Sequence, residues 1–388
     1  MRVLIIPSWY PSKDNPVSGI FFKEQAEALS EQINVAVLNL KQLSFRYPKS
    51  LIKRNKGISY YENNVFTMNK YYINWIPKIL KLKMKIYKYH LLNTYNKIVD
   101  KFGEPDLIHA QVSYPAGYGA KILSDRFGIP FIVTEHASFF EDILMGKYKK
   151  YTSEVIEKAN KYIAVSSYLK EKITEAGGVK CELIPNFINI KKFDKRSLDE
   201  NWIYKDKFNL LHVSLMSDVK RIDLLLKSIK KIIFDYGRKN IHLHLIGKGP
   251  KKDVYESISE ELSINEYCTF YGMVENDKVA RFMNKCNTLV ISSKSETFGV
   301  VGIEAMAAGL PVISTKCGGP EDYVTPETGI LVEKENVNSL TEGILNMMNN
   351  FQQYDTNKIK NYVKKNYSKE VVSSKLINLY KDILKDEA

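Results

Sequence analysis

Glu296 and Glu304 stand on either side of Gly299 in the run SSKSETFGVVGIEAMAAGLPVISTKCGGPEDYV, residues 292–324. Ala305, Met306, Ala307 and Ala308 are good helix formers, Gly309 supplies a C-terminal stop, and Pro311 blocks continuation. The pattern predicts a short helix opening near Gly299 and a buried strand over Val312–Thr315. A helix start exposes unpaired N–H groups and the positive end of the dipole, which suits a phosphate. Carboxylates cannot take a phosphate, but they accept hydrogen bonds from hydroxyls. Amides for phosphate beside carboxylates for hydroxyls fit a nucleotide sugar. Two glutamates at this distance occur in many chains as solvated residues, so spacing alone does not carry the reading.

The wider string does. Glu296, Phe298, Gly299 and Glu304 form an E-x-F-G-x-x-x-x-E core that resembles the donor-site signature of the retaining glycosyltransferases called family 4. The resemblance implies the GT-B architecture: α/β, with two Rossmann-like domains facing each other across a cleft and a C-terminal helix crossing back to the first. It gives Glu304 the ribose hydroxyls and Glu296 the hydroxyls of the donor sugar. Gly299, Val300 and Val301 would offer N–H groups to the diphosphate, with Phe298 in the same donor segment. Lys220, in HVSLMSDVKRIDLL, falls on the family's diphosphate-binding lysine, a point charge suited to phosphate. Ser214 and Leu215 replace the usual glycine and arginine there, and Arg221 is the candidate to compensate. The bland reading of Lys220 is a solvated lysine before a helix.

Gly247 opens a G-x-G-P turn after the strand HLHLI, and Met273 and Val274 match a strand-end loop that borders the base in the family. A purely structural turn accounts for Gly247 equally well. Gly19 matches the family's N-terminal glycine loop near the donor phosphates. His136 follows the strand FIVTE and matches a position that contacts the donor sugar; His109 and Glu135 are weaker candidates. The implied activity is transfer of a sugar from a nucleoside diphosphate donor, most simply UDP-linked, to a saccharide or lipid-linked saccharide. No cofactor is implied. No Asp-x-Asp occurs in the chain, so the expectation is a metal-independent enzyme in which Lys220 and backbone amides neutralise the leaving group. A nucleotide-sugar epimerase or a phosphorylase on the same fold remains open, as does a non-catalytic basic protein binding membrane or nucleic acid.

The elements that must position these residues follow from size and rhythm. At 388 residues, 44% of them hydrophobic, the chain suits two domains. Short apolar strands are expected at Val3–Ile6, Val35–Leu38, Leu107–Ala110, Phe131–Thr134 and Tyr162–Val165, alternating with helices as in a parallel sheet. The rhythm restarts at Leu210–Val213, His242–Ile246, Cys268–Tyr271 and Thr288–Ile291. The expected division is an acceptor-side domain over 1–186, a linker over 187–207, a nucleotide-sugar domain over 208–365 and a returning helix over 366–388.

The net charge of +13 is uneven: residues 1–190 carry 27 Lys/Arg against 17 Asp/Glu, the remainder 30 against 27. A basic first half implies an anionic partner. The segment WIPKILKLKMKIYKYHLL, residues 75–92, reads either as a solvated amphipathic helix or as an interfacial helix on anionic lipid, with Trp75, Tyr87 and Tyr89 at the headgroups. No nucleic-acid motif is present. No apolar run of about 18 residues spans a membrane, and the four cysteines lack metal or disulfide spacing. The expected location is the cytoplasm, with possible attachment to the inner membrane face.

Overall fold

A computed structural model of the chain describes residues 1–12, 15, 18–43, 57–74, 78–137, 140–193 and 204–387, with backbone only at 141–143. It divides into two compact units. The first comprises residues 1–165, 169–184 and 373–388; the second comprises 166–168 and 185–372.

The first unit is built on eight strands: β1 (Arg2–Pro7), β2 (Asn34–Leu43), β3 (Gly57–Glu62), β4 (Val65–Ile73), β5 (Leu107–Gln111), β6 (Phe131–Glu135), β7 (Lys161–Ala164) and β8 (Cys181–Leu183). Their order is β3-β4-β2-β1-β5-β6-β7-β8. Every pairing is parallel except β3 with β4. Val3, Leu4 and Ile5 are wholly buried, as strands covered on both faces by helices require. The β3–β4 hairpin is absent from the sequence reading. It turns on Asn63 and Asn64, both at positive φ (46° and 63°), the conformation of a tight two-residue hairpin loop.

The basic segment expected over 75–92 becomes the helix Leu80–Phe102, and Trp75 lies outside the described residues. Tyr87 does not face outward. It is 5% exposed, and its hydroxyl donates to the Pro115 carbonyl at 3.2 Å. Met84, Tyr87 and Leu91 recur at helical spacing and form the buried stripe, so the period that made the helix amphipathic turns Tyr87 inward. Lys81, Lys85, Lys88 and Tyr89 are exposed. The last helix, Lys369–Asp386, begins in the second unit and belongs to the first from Ser373 onward. Leu376, Tyr380 and Ile383 on it are buried. Among the described residues no helix is long and apolar enough to cross a membrane.

The second unit holds a parallel sheet of β9 (Phe208–Val213), β10 (Ile241–Ile246), β11 (Cys268–Gly272), β12 (Thr288–Ile291), β13 (Val312–Thr315) and β14 (Gly329–Val332). The order is β11-β10-β9-β12-β13-β14. Counted within the unit this is 3-2-1-4-5-6, the doubly wound order of dinucleotide-binding sheets. β14 is not among the strands expected from the sequence. Leu225, Ile229, Ile232 and Ile233 on the helix Ile222–Phe234 bury its apolar stripe against β9 and β10. The strand order reverses between β9 and β12. Ligands in such sheets sit beyond the carboxyl ends of the strands at that point.

Candidate functional site

The loops leaving β9 and β12 are tied together at that reversal. Ser292 donates its hydroxyl to the Lys220 carbonyl at 2.8 Å, and the Lys294 N–H donates to the Val219 carbonyl at 2.8 Å. The loop after β13 joins them: Glu296 N–H donates to the Cys317 carbonyl at 2.8 Å, and the Glu296 carbonyl accepts from Gly319 N–H at 2.9 Å. Three strand ends therefore fix the backbone of Glu296.

Its side chain is equally constrained. Lys220 Nζ lies 2.6 Å from Glu296 Oε1, with the two side chains 23% and 13% exposed. The Ser293 hydroxyl donates to the same oxygen at 2.6 Å. Oε2 has no partner among the described residues. Ser293 escaped the sequence reading, although its place three residues before Glu296 marked it as a donor for that carboxylate.

Gly299 adopts the left-handed conformation (φ 76°, ψ 56°) that turns the chain into the helix Val300–Ala307. The Tyr323 hydroxyl donates to the Gly299 carbonyl at 2.7 Å, and a Cβ at Gly302 would lie 2.3 Å from the Tyr323 hydroxyl oxygen. The first described bond into this turn is Gly302 N–H to Gly299 O at 2.9 Å. The N–H groups of Val300 and Val301 precede it and meet no acceptor among the described residues. Glu304 is half-buried within the helix. Phe298 is 1% exposed and packs against Tyr323 and Tyr367, so its ring anchors the loop from beneath and faces no open space.

Around this centre lie the remaining candidates of the second unit. Gly247, at φ 133°, lets the loop after β10 pass the loop after β9: a Cβ there would lie 1.9 Å from the Ser214 carbonyl oxygen. Met273 is 61% exposed beyond β11, and Val274 is half-buried. Arg221, the candidate to compensate for Leu215, is engaged with two carboxylates. It is held in the left-handed conformation, with its guanidinium on Asp223 (3.1 Å) and Glu335 (2.7 Å), while Leu215 is 62% exposed. His212 bonds the Val290 carbonyl through Nδ1 (2.9 Å) and Ser214 through Nε2 (2.8 Å). Burial pushes its pKa down to about 4, opposed by the hydrogen bond to the Val290 carbonyl and aided by the charge of Lys220. The neutral ring thus donates to the carbonyl and accepts from the serine.

In the first unit, Gly19 (φ 70°) starts the helix Ile20–Ser30, and a Cβ there would meet the Trp9 carbonyl oxygen at 2.5 Å. His136 follows β6. Its Nε2 lies 2.9 Å from Gln111 Oε1, and its ring packs on Phe21 and Phe22. Burial lowers its pKa to about 3, with His109 adding to the shift. His109 is wholly buried between Thr134 and Tyr380. Glu135 is wholly buried too, and it accepts from the N–H groups of Ser113, His136 and Ala137 and from the Ser113 hydroxyl. Burial raises its pKa against those bonds. Both residues are therefore internal supports. Among the described residues no three His, Cys, Asp or Glu side chains cluster so as to hold a metal ion, and the four cysteines are buried and free.

Comparison with known proteins bears on the same segments. The profile for glycosyl transferases group 1 matches residues 194–366, and that for glycosyltransferase family 4 matches residues 20–192. An uncharacterised glycosyltransferase of Methanocaldococcus jannaschii is 31% identical over 318 residues, 78% of this chain and 83% of that protein. The Campylobacter jejuni N-acetylgalactosamine-N,N'-diacetylbacillosaminyl-diphospho-undecaprenol 4-alpha-N-acetylgalactosaminyltransferase is 26% identical, covering 85% of this chain and 89% of its own. Among solved structures, Anabaena HepE in complex with UDP superimposes with a TM-score of 0.74 at 16% identity, covering 98% of this chain and 100% of that one.

Proposed function

The chain belongs to the group 1 glycosyl transferases of GT-B fold, and from that premise we propose that it is a retaining enzyme transferring a sugar from a UDP-sugar to a saccharide or lipid-linked saccharide. The second unit takes the donor and the first takes the acceptor. The observation that carries the reading is the Lys220–Glu296 pair beside the Gly299 helix start, at the strand-order reversal of the second unit. A cation and two unengaged N–H groups suit a diphosphate, while the carboxylates of Glu296 and Glu304 suit hydroxyls.

In this reading the diphosphate draws on Lys220 and on the Val300 and Val301 N–H groups as negative charge develops on the leaving oxygen. As the Lys220 ammonium turns to the phosphate, Ser293 keeps its bond to Oε1 of Glu296, and the carboxylate's vacated site accepts from a sugar hydroxyl. Attack comes from the face the leaving group departs, and the departing phosphate takes the acceptor proton. Catalysis rests on orientation and charge stabilisation. Lys220 and the helix start supply the charge, so transfer needs no metal, and chelator should leave the rate unchanged. The likeness to a structure solved with UDP supports the donor class, and the similarity to a diphospho-undecaprenol glycosyltransferase supports a lipid-linked acceptor. Exposed Lys81, Lys85 and Lys88 on Leu80–Phe102 suit docking to an anionic bilayer carrying such an acceptor.

The test is transfer of labelled sugar by Glu296→Ala and Lys220→Ala. Each should lose about 100-fold or more in kcat/KM while remaining folded. Near-normal transfer by both variants sinks the reading, and donor turnover that needs no acceptor points to an epimerase.

A further inference from the structure

Two buried glutamines lie behind His136. Gln111 ends β5 with no exposure, and Gln25, on Ile20–Ser30, is 7% exposed. Gln111 Nε2 donates to Gln25 Oε1 at 2.6 Å, which turns Gln111 Oε1 toward His136 Nε2 at 2.9 Å. A carbonyl oxygen only accepts, so Nε2 of His136 carries the ring proton. Nδ1 is then a lone-pair acceptor, and it has no partner among the described residues. The chain continues inward. Gln111 Nε2 lies 3.4 Å from His109 Nε2, and His109 Nδ1 lies 2.6 Å from the Tyr380 hydroxyl. Phe21 and Phe22 hold the His136 ring at centroid distances of 5.2 and 5.1 Å.

We propose that Gln111, itself oriented by Gln25, is a positioning residue that fixes His136 as the neutral Nε2–H tautomer, leaving Nδ1 to accept a hydrogen bond from a sugar hydroxyl. The inference deepens, and rests on, the assignment of this chain as a sugar transferase with His136 at the sugar. A ring free to exchange tautomers would offer a donor to that hydroxyl part of the time, and the proton on Nε2 is set by the bond it makes. Burial keeps the ring neutral, lowering its pKa to about 3. Of the groups facing it, Glu135 is engaged by three N–H groups and a hydroxyl. His109 is itself pushed down to about 3 by burial. Phe21, Phe22 and Gln25 carry no charge.

Nitrogen-15 NMR of the full chain tests this, with the His136 signals assigned by their loss in His136→Gln. Wild type should show one Nε2–H tautomer and no titration between about pH 5.5 and 8. In Gln111→Glu a carboxylate accepts the same proton and favours the charged ring. Imidazolium should then appear in that range, and transfer should become dependent on pH, rising as the ring loses its proton. Gln111→Leu should lower kcat about tenfold with KM within about threefold. Gln25→Leu should produce a smaller loss of the same kind and serves if Gln111→Leu fails to fold. A wild-type ring protonated on Nδ1, a mixture of tautomers, or an unchanged His136 signal in Gln111→Glu overturns the assignment. Unimpaired transfer by His136→Ala, with the Nε2–H tautomer intact in wild type, instead removes the sugar contact and leaves the positioning by Gln111 standing.

Discussion

One carboxylate oxygen, Oε1 of Glu296, accepts from both Lys220 and Ser293 at 2.6 Å. If Lys220 turns to a diphosphate, Ser293 is the donor left to hold Glu296 in place. Ser293 is 1% exposed, and its carbonyl accepts the Thr315 hydroxyl at 2.6 Å, so the serine itself is rigidly seated. Ser293→Ala should therefore lower kcat about tenfold with little change in KM, and should shift stability by no more than about 1 kcal/mol. Steady-state kinetics beside a thermal melt measures both, and an unaltered kcat would show that Glu296 needs no second anchor. Residues like Glu296, Gly299 and Glu304 were legible in the sequence because a single helix start and its loop hold them within nine positions. Gln25 and Gln111 were not, because the bond between them joins residues 86 apart, and no local pattern distinguishes a buried glutamine from a solvated one.

At the scale of elements, the loops at the strand ends are packed closely enough that glycine is a steric requirement at particular points. Gly247 combines φ 133° with a hypothetical Cβ 1.9 Å from the Ser214 backbone oxygen; Gly128, at φ 70°, has open space around it. Gly128→Ala should cost about 1 kcal/mol, the strain of a left-handed residue. Gly247→Ala must also move the loop that leads to Lys220, and should cost roughly 3 kcal/mol or more. Denaturant melts of the two variants decide the matter, and equal losses would mean that the approach of the two loops relaxes freely. Strands such as Val3–Ile6 and Val35–Leu38 could be read from sequence because burial on both faces writes them as unbroken apolar runs. The β3–β4 hairpin could not: β3 is exposed or half-exposed along its whole length, so its residues carry no such run. The one signal for it was the Asn63–Asn64 pair, which tolerates positive φ. Likewise β14 is four residues long and only half its positions are buried, too little for periodicity to register.

Taken over the whole molecule, burial lowers the pKa of all six histidines. Burial lowers the pKa of His109, His136 and His242 to about 3, and of His212 and His244 to about 4. Each depressed value means that the unfolded chain binds protons the folded chain refuses. Their contribution is fully present above the ordinary histidine pKa near 6.5 and is lost as pH falls below it, down to the folded values. At pH 5 each buried histidine should cost on the order of 1–2 kcal/mol, not fully additive, so the melting temperature should drop by about 10 °C or more between pH 7.5 and pH 5. His242 separates this from general acid sensitivity. Its Nε2 bonds the Thr269 hydroxyl at 2.8 Å, but Nδ1 is buried without a partner, and the ring lies 4.1 Å from that of Tyr204 between centroids. Phenylalanine keeps the ring packing and removes both the titration and the unsatisfied nitrogen, at the loss of one hydrogen bond worth about 1 kcal/mol. His242→Phe should therefore melt near wild type at pH 7.5 and clearly above it at pH 5. A difference between the two proteins that is the same at both pH values would show that His242 takes up no proton on unfolding, and that the acid sensitivity lies elsewhere.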